Sequence, residues 1–204
     1  NNGYQKGAFS LSTGLTENNW AVTLSGAKIT GNGYVDGTSF VGYNYFFNIS
    51  KKLNENHILS LTGFGAPQRH GQRQNMKSIS TYRSAPQGIR YNGDWGIMSG
   101  QEVHVEDNFY HKPQFSLNHY WTINSDSELS TAVYVSTGTG GGGGTAGAFG
   151  APSGEAGEGG YYRTGGYYGA IDLDRLVALN EQNADGNASS FLRASNNDHF
   201  WTGV

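Results

Sequence analysis

The chain has 204 residues, with 13 Lys and Arg against 16 Asp and Glu, and this near balance argues against a protein that binds nucleic acid through a basic surface. It contains no cysteine, which excludes disulfide scaffolds, thiolate zinc sites and cysteine nucleophiles. No run of eighteen apolar residues occurs, so the sequence excludes helical membrane spans, and glycine supplies 32 residues, about twice its ordinary usage.

Alternation of apolar and polar residues predicts three antiparallel hairpins. The first joins strands over 8–15 and 20–30 through a turn at 17–19, and the second joins 40–51 to 57–66 through a turn at 54–56. The third joins 113–124 to 128–137 through a turn at 125–127. A seventh strand is expected to begin near His199.

The third hairpin has the clearest two-faced pattern. One face of its first strand carries Phe115, Leu117, His119, Trp121 and Ile123, and the other face carries Gln114, Ser116, Asn118 and Tyr120. This alternation fits a strand with lipid on one side and a polar interior on the other. A soluble sandwich, in which the apolar row packs against a second sheet, remains the alternative.

The connections alternate between short turns and two long loops, predicted at 67–113 and 138–198. Compact soluble domains rarely contain structureless loops longer than about 12 to 15 residues, whereas outer-membrane barrels pair short turns with long extracellular loops. Three predicted strands are also close to the roughly 9 to 11 residues that cross a bilayer when tilted. We therefore expect an all-β, antiparallel up-and-down meander, an excerpt of a large transmembrane β-barrel.

The second long loop contains a predicted helix and a low-complexity segment. Apolar residues at helical spacing predict a helix over 172–182, with Asp172 as its cap. Five consecutive glycines, at 140–144, lie in the segment 138–169, which we expect to be a flexible loop.

Three segments of this sequence are similar to strands of a known family. Residues 44–51 (NYFFNISK), 59–70 (LSLTGFGAPQRH) and 110–119 (YHKPQFSLNH) resemble strands of Bacteroidetes TonB-dependent outer-membrane receptors. The likeness covers most of 20–135 and the region near 196–199, and its most specific part is 64–70.

The resemblance implies a fold, a location and a function. Members of this family enclose a plug domain in a barrel of about 22 strands and import a bound nutrient with energy delivered by TonB. The implied partners are the TonB complex, reached through a plug segment that this sequence lacks, outer-membrane lipid, and a surface lipoprotein. The expected location is the bacterial outer membrane, and the expected fragment comprises 1–204. A surface adhesin or glycan-binding β-domain remains the alternative function.

Candidate chemical sites are few. His104, Glu106, Asp107 and His111 are residue types that bind metals, but their spacing matches no established signature. No Gly-x-Ser-x-Gly elbow or rigid carboxylate pair occurs, so we expect no enzymatic activity, no metal and no cofactor.

Aromatic residues provide the remaining candidates. The loop pairs Tyr161, Tyr162 and Tyr167, Tyr168 offer flat faces with polar tips that suit a sugar or peptide ligand, although packing between loops is the favoured explanation. On the strands, the aromatic residues fit the belts that lie at the level of lipid headgroups, and these residues are Trp20, Tyr43, Tyr45 and Trp121.

Overall fold

The computed structural model describes residues 2–147, 163–182 and 190–203 of the chain. The fold is all-β with two short α-helices. The strands are β1 (Gln5–Leu15), β2 (Trp20–Gly31), β3 (Phe40–Lys52), β4 (His57–Gly65), β5 (Gln68–Gly71), β6 (Trp95–Met98), β7 (Gln101–His104), β8 (Asp107–His111), β9 (Gln114–Asn124), β10 (Ser127–Gly147), β11 (Ile171–Asp172) and β12 (Ser190–Gly203). The helices are α1 (Ile79–Ser84) and α2 (Leu173–Gln182).

The long strands form one antiparallel meander, in the order β1, β2, β3, β4, β9, β10 and β12. All three predicted turns are confirmed, because each falls between the end of one strand and the start of the next. Asparagine residues stabilise all three turns. Asn19 adopts a left-handed conformation (φ 61°), and Asn54 and Asn124 accept backbone hydrogen bonds within their own turns.

Prolines interrupt two neighbouring strands at the end of the sheet away from the short turns. Pro67 separates β4 from β5, and Pro113 separates β8 from β9. Proline has no backbone N–H, but its carbonyl still accepts, and Tyr43 N donates to Pro67 O at 2.8 Å. Strands β5 and β8 therefore pair beyond the prolines. The predicted loop 67–113 was too long, because the connection between the paired strands is 72–106.

The glycine tract is a strand and not the predicted flexible loop. Strand β10 continues to Gly147, pairing with β8 and β12. A Cβ on Gly140 would lie 2.6 Å from the Tyr110 ring, and one on Gly143 would lie 2.8 Å from Val105 O, so close approach requires glycine there. Strand β12 begins at Ser190, before the predicted start near His199, and the predicted loop 138–198 shortens to 148–189.

The two long connections form a small subdomain, hereafter the loop subdomain, which contains α1, β6, β7, β11 and α2. Its three-stranded sheet has β6 between β7 and β11, and Val105, Ile171 and Leu173 form its buried core. Helix α2 confirms the predicted helix, and Asp172 Oδ1 accepts from Arg175 N at 3.0 Å, as expected of the cap. Within the described ranges, no helix is long and apolar enough to cross a membrane.

Candidate functional site

One face of the meander, hereafter the apolar face, is covered by large hydrophobic side chains from six neighbouring strands. The register places Leu61 of β4 opposite both Ile49 of β3 and Leu117 of β9, which in turn lies opposite Val133 of β10. These side chains are not packed against a second layer, since 46% of Leu117 and 65% of Leu11 is exposed. The face consists of Phe9, Leu11, Val22, Leu24, Phe47, Ile49, Leu59, Leu61, Phe115, Leu117, Trp121, Ile123, Leu129, Val133 and Val135.

The opposite face, hereafter the polar face, carries mainly small hydroxyl and amide side chains. Asn48 lies at its centre and donates from Nδ2 to Ser60 Oγ (2.7 Å) and Thr62 Oγ1 (2.8 Å), while Ser50 Oγ donates to Asn48 Oδ1 (2.8 Å). Ser60 is 6% exposed and Ser136 is 3% exposed. Two serines of the polar face are thus buried while leucines of the apolar face are exposed, although Phe46, Ile58 and Phe64 on the polar face are exposed as well.

Aromatic and basic side chains border the apolar face at the end of the short turns. Lys51 Nζ lies 4.9 Å from the Trp20 ring centre. His57 Nδ1 lies 3.0 Å from His119 Nε2, and the His57 and Trp121 rings stack at 5.4 Å. Amphipathic rings of this kind favour a boundary between apolar and aqueous surroundings.

A second aromatic group borders the apolar face toward the loop subdomain. Lys28 Nζ lies 5.6 Å from the centre of the Tyr43 ring, and the Tyr45 hydroxyl lies 3.1 Å from His111 Nε2. The apolar face thus lies between two groups of polar aromatic residues, which include Trp20, Trp121, Tyr43 and Tyr45. That these residues form belts at the level of lipid headgroups stays a prediction.

The predicted lipid-facing residues Phe115, Leu117, Trp121 and Ile123 are all exposed and share the apolar face. Their contact with lipid stays a prediction. His119, the polar exception in this row, is paired with His57.

The structure describes two of the four tyrosines that were predicted to bind a ligand. Tyr161 and Tyr162 lie outside the described residues. Tyr168 packs edge-on against the buried Tyr91 at 5.4 Å and against Tyr167 at 4.9 Å. These contacts match packing between loops, and ligand binding by Tyr167 and Tyr168 stays a prediction.

The residues of metal-binding type, for which no metal site was expected, make separate contacts in the structure. Glu106 contacts Asn75, and His111 contacts Tyr45. His104 and Asp107 approach each other, with His104 Nδ1 3.5 Å from Asp107 Oδ1.

Around this pair the structure assembles a polar cluster that the sequence did not reveal. Ser39 Oγ lies 2.7 Å from His104 Nε2 and donates to Glu102 Oε1 at 2.6 Å, and Arg69 pairs with the buried Asp107 at 2.6 Å. The serine, imidazole and carboxylate have the order of a nucleophilic triad, but Glu102 also lies 3.1 Å from the same imidazole nitrogen. His104 Nε2 thus faces both the Ser39 hydroxyl and the Glu102 carboxylate. The sequence indicated His104 and Asp107, but only the fold brings Ser39 and Arg69 next to them.

A pocket of about 290 Å³ opens near the same cluster. Its lining combines apolar side chains with an amide and an imidazole, and consists of Ile29, Thr38, Phe40, Val41, Gly42, Gln68, His70 and Gly71. Six of these residues lie on β3 and β5, where the sheet continues past Pro67. The pocket thus lies at this end of the sheet.

No family model, curated protein or solved structure matches this chain.

Proposed function

We propose that this chain forms part of the barrel wall of a TonB-dependent nutrient receptor in a bacterial outer membrane. The observation that carries the proposal is the apolar face, whose large hydrophobic side chains are exposed across the sheet, while Ser60 and Ser136 of the opposite face are buried. A barrel in lipid has this arrangement, because hydrocarbon surrounds its outside and water or polar groups fill its inside. The apolar face would contact lipid and the polar face would line the interior.

Strand direction supports a larger barrel. The meander has seven long strands among the described residues, so β1 and β12 run in the same direction. Pairing these two edges would make a parallel contact, whereas bacterial outer-membrane barrels are antiparallel with an even number of strands. All of β1 is exposed, including Phe9 and Leu15, and such an edge is prone to pair with a further strand. We infer that additional strands complete the wall.

The energy source and cargo class rest on the family resemblance alone. On that basis the plug segment contacts TonB, a surface lipoprotein assists capture, and no nucleic acid is involved. The test is uptake of cargo by cells that carry the complete receptor, with and without TonB. Uptake that persists unchanged without TonB would contradict this part of the proposal.

The orientation of the sheet is tested with a matched pair of substitutions in the complete receptor. Leu117→Arg places a charge on the apolar face and is expected to cost about 2 to 4 kcal/mol on folding into bilayers, whereas Asn118→Arg, on the opposite face, is expected to change mainly the interior. Folding stability is measured in vesicles. Tolerance of Leu117→Arg together with failure of Asn118→Arg would reverse the assignment of faces.

A lipid-quenching measurement provides a second test in the chain itself. Trp20 and Trp121 border the apolar face, so brominated acyl chains should quench their fluorescence. Trp95 of the loop subdomain serves as the matched control and should not be quenched. Each tryptophan is measured alone, with the others replaced by phenylalanine. A chain that is monodisperse without detergent and shows no quenching would favour the adhesin or glycan-binding alternative.

A further inference from the structure

The pocket of about 290 Å³ opens on the polar face of the sheet. Phe40 and Gly42 share that face with Asn48, because positions two apart in a strand lie on the same side. The register places His70 opposite Phe40 and Gln68 opposite Gly42. The pocket therefore lies on the face that would line the interior of the proposed barrel.

The wall of this pocket is largely apolar. Ile29 and Phe40 line it with half-buried side chains, and Gly42, which lies opposite Ile29, adds no side chain of its own. A cavity of about 150 Å³ holds one benzene molecule, so the pocket has room for two fused rings. Within the described part of the chain, its lining includes no Asp, Glu, Lys or Arg, and an uncharged ligand is therefore favoured.

His70 brings an unused hydrogen-bond acceptor to the lining. Its Nδ1 lies 3.2 Å from the Gly71 carbonyl oxygen, which can only accept, so Nδ1 carries the proton. In a neutral imidazole the other nitrogen, Nε2, is then an acceptor. This Nε2 makes no hydrogen bond to any residue that the structure describes. The pocket therefore suits a ligand that supplies one hydrogen-bond donor.

The other polar groups of the lining are few. Gln68 Nε2 donates to Asn108 Oδ1 at 3.0 Å, and Thr38 Oγ1 donates to Val35 O at 2.6 Å. A sugar ring carries several hydroxyl groups, and most of them would lose their water partners here without gaining new ones. A flat aromatic ring with a single donor loses much less, because its faces are apolar. The lining thus favours an aromatic ligand over a polyol.

We propose that this pocket binds an uncharged solute with a flat bicyclic aromatic ring and one ring N–H group. The N–H group donates to His70 Nε2, and the ring lies against Phe40 and Ile29. Burial of the ring supplies most of the affinity, whereas the hydrogen bond fixes its orientation. The proposal rests on the proposed function in one respect, because it places the bound ring in the interior of the barrel, beside the path of the cargo.

The test uses the whole chain in detergent micelles, titrated with indole and separately with benzofuran, which has the same shape but an oxygen in place of the N–H group. The nuclear magnetic resonance shift of the Gly42 amide gives the affinity, with free ligand measured by dialysis. We expect saturable binding of indole, about tenfold weaker binding of benzofuran, and a shift of the His70 Nε2 signal with indole alone. Glucose should not bind.

A matched pair of substitutions locates the acceptor. His70→Phe keeps a ring of similar size but removes the acceptor, so it should weaken indole binding about tenfold. His57→Phe makes the same change at the opposite end of the sheet and should leave the affinity for indole unchanged. If His70→Phe fails to fold, the comparison of indole with benzofuran on the unmodified chain decides the question alone.

Three results would each overturn the proposal: no saturable binding of indole, equal affinity for indole and benzofuran, or binding of glucose in preference to indole. The quenching of Trp20 and Trp121 by brominated acyl chains separates this proposal from the proposed function. Quenching without indole binding would contradict the pocket ligand only. Indole binding without quenching would contradict the membrane assignment only.

Discussion

The meander and the loop subdomain bury their side chains according to opposite rules. In the loop subdomain, Val105, Ile171 and Leu173 are nearly inaccessible and form an ordinary hydrophobic core. In the meander, Leu117 is exposed while Ser60 is buried. One sequence thus contains a region that withdraws its apolar groups from the surface and a region that leaves large apolar side chains exposed. The two regions should therefore respond differently to the same kind of substitution.

The largest expected effect is in the core of the loop subdomain. Ile171→Asp buries an unpaired carboxylate at a position that is 1% exposed, and should destabilise this region by more than about 4 kcal/mol. Hydrogen exchange should accelerate in β6 and β7 and stay slow in β9, to the same extent in detergent and in bilayers. If β9 also lost its protection from hydrogen exchange, the meander and the loop subdomain would unfold as one cooperative unit. The expected difference between the two regions would then be wrong.

A smaller effect is expected where the two regions touch. Gly143→Ala would place a methyl group 2.8 Å from Val105 O, so the backbone must shift, at a cost of about 1 to 3 kcal/mol. The control is Gly7→Ala in β1, where a Cβ meets nothing within 4 Å. Thermal unfolding followed by near-ultraviolet circular dichroism distinguishes the two. Equal stability of both variants would show that β10 does not press against the loop subdomain.

The polar face provides a third test. Ser60→Ala removes the buried hydroxyl that accepts from Asn48 Nδ2 at 2.7 Å, and should cost about 1 kcal/mol because a half-buried amide donor loses one of its partners. Ser10→Ala, on the same face of the exposed strand β1, should cost almost nothing. Denaturant titration in the same detergent compares them. A stabilising Ser60→Ala would mean that this face, too, prefers apolar groups.

The smallest effect is a pH dependence of the loop subdomain. Burial raises the pKa of Tyr91 above 10, and burial lowers that of Lys77 below 10.5. The folded state releases the Lys77 proton before the unfolded state does, so stability rises as pH increases through this lowered pKa toward 10.5. The unfolded state ionises Tyr91 first, so stability falls as pH rises above 10. Lys77→Met should remove the rise in stability, and Tyr91→Phe should remove the fall. Both effects are measured as differences in the free energy of unfolding from the unmodified chain across this pH range.

The sequence revealed the parts of the fold that depend on local alternation and turns. The asparagine-rich turns and the row from Phe115 to Ile123 are local signals, so the hairpins could be placed within a few residues. The part of β10 beyond Gly138 could not be predicted in this way, because glycine has no side chain and so shows no alternation. The close approach of this segment to Tyr110 and Val105 appears only in the folded chain.

The length of β10 sets how far the protein extends from a membrane. Its 21 residues, at about 3.3 Å per residue and a tilt near 45°, reach a height of about 50 Å, whereas the apolar band of a barrel is about 25 Å tall. In the proposed barrel, up to about 25 Å of the wall would therefore stand above the apolar band. Solutes and neighbouring surface polysaccharides would meet the loop subdomain at this elevated rim, well before they reach the bilayer.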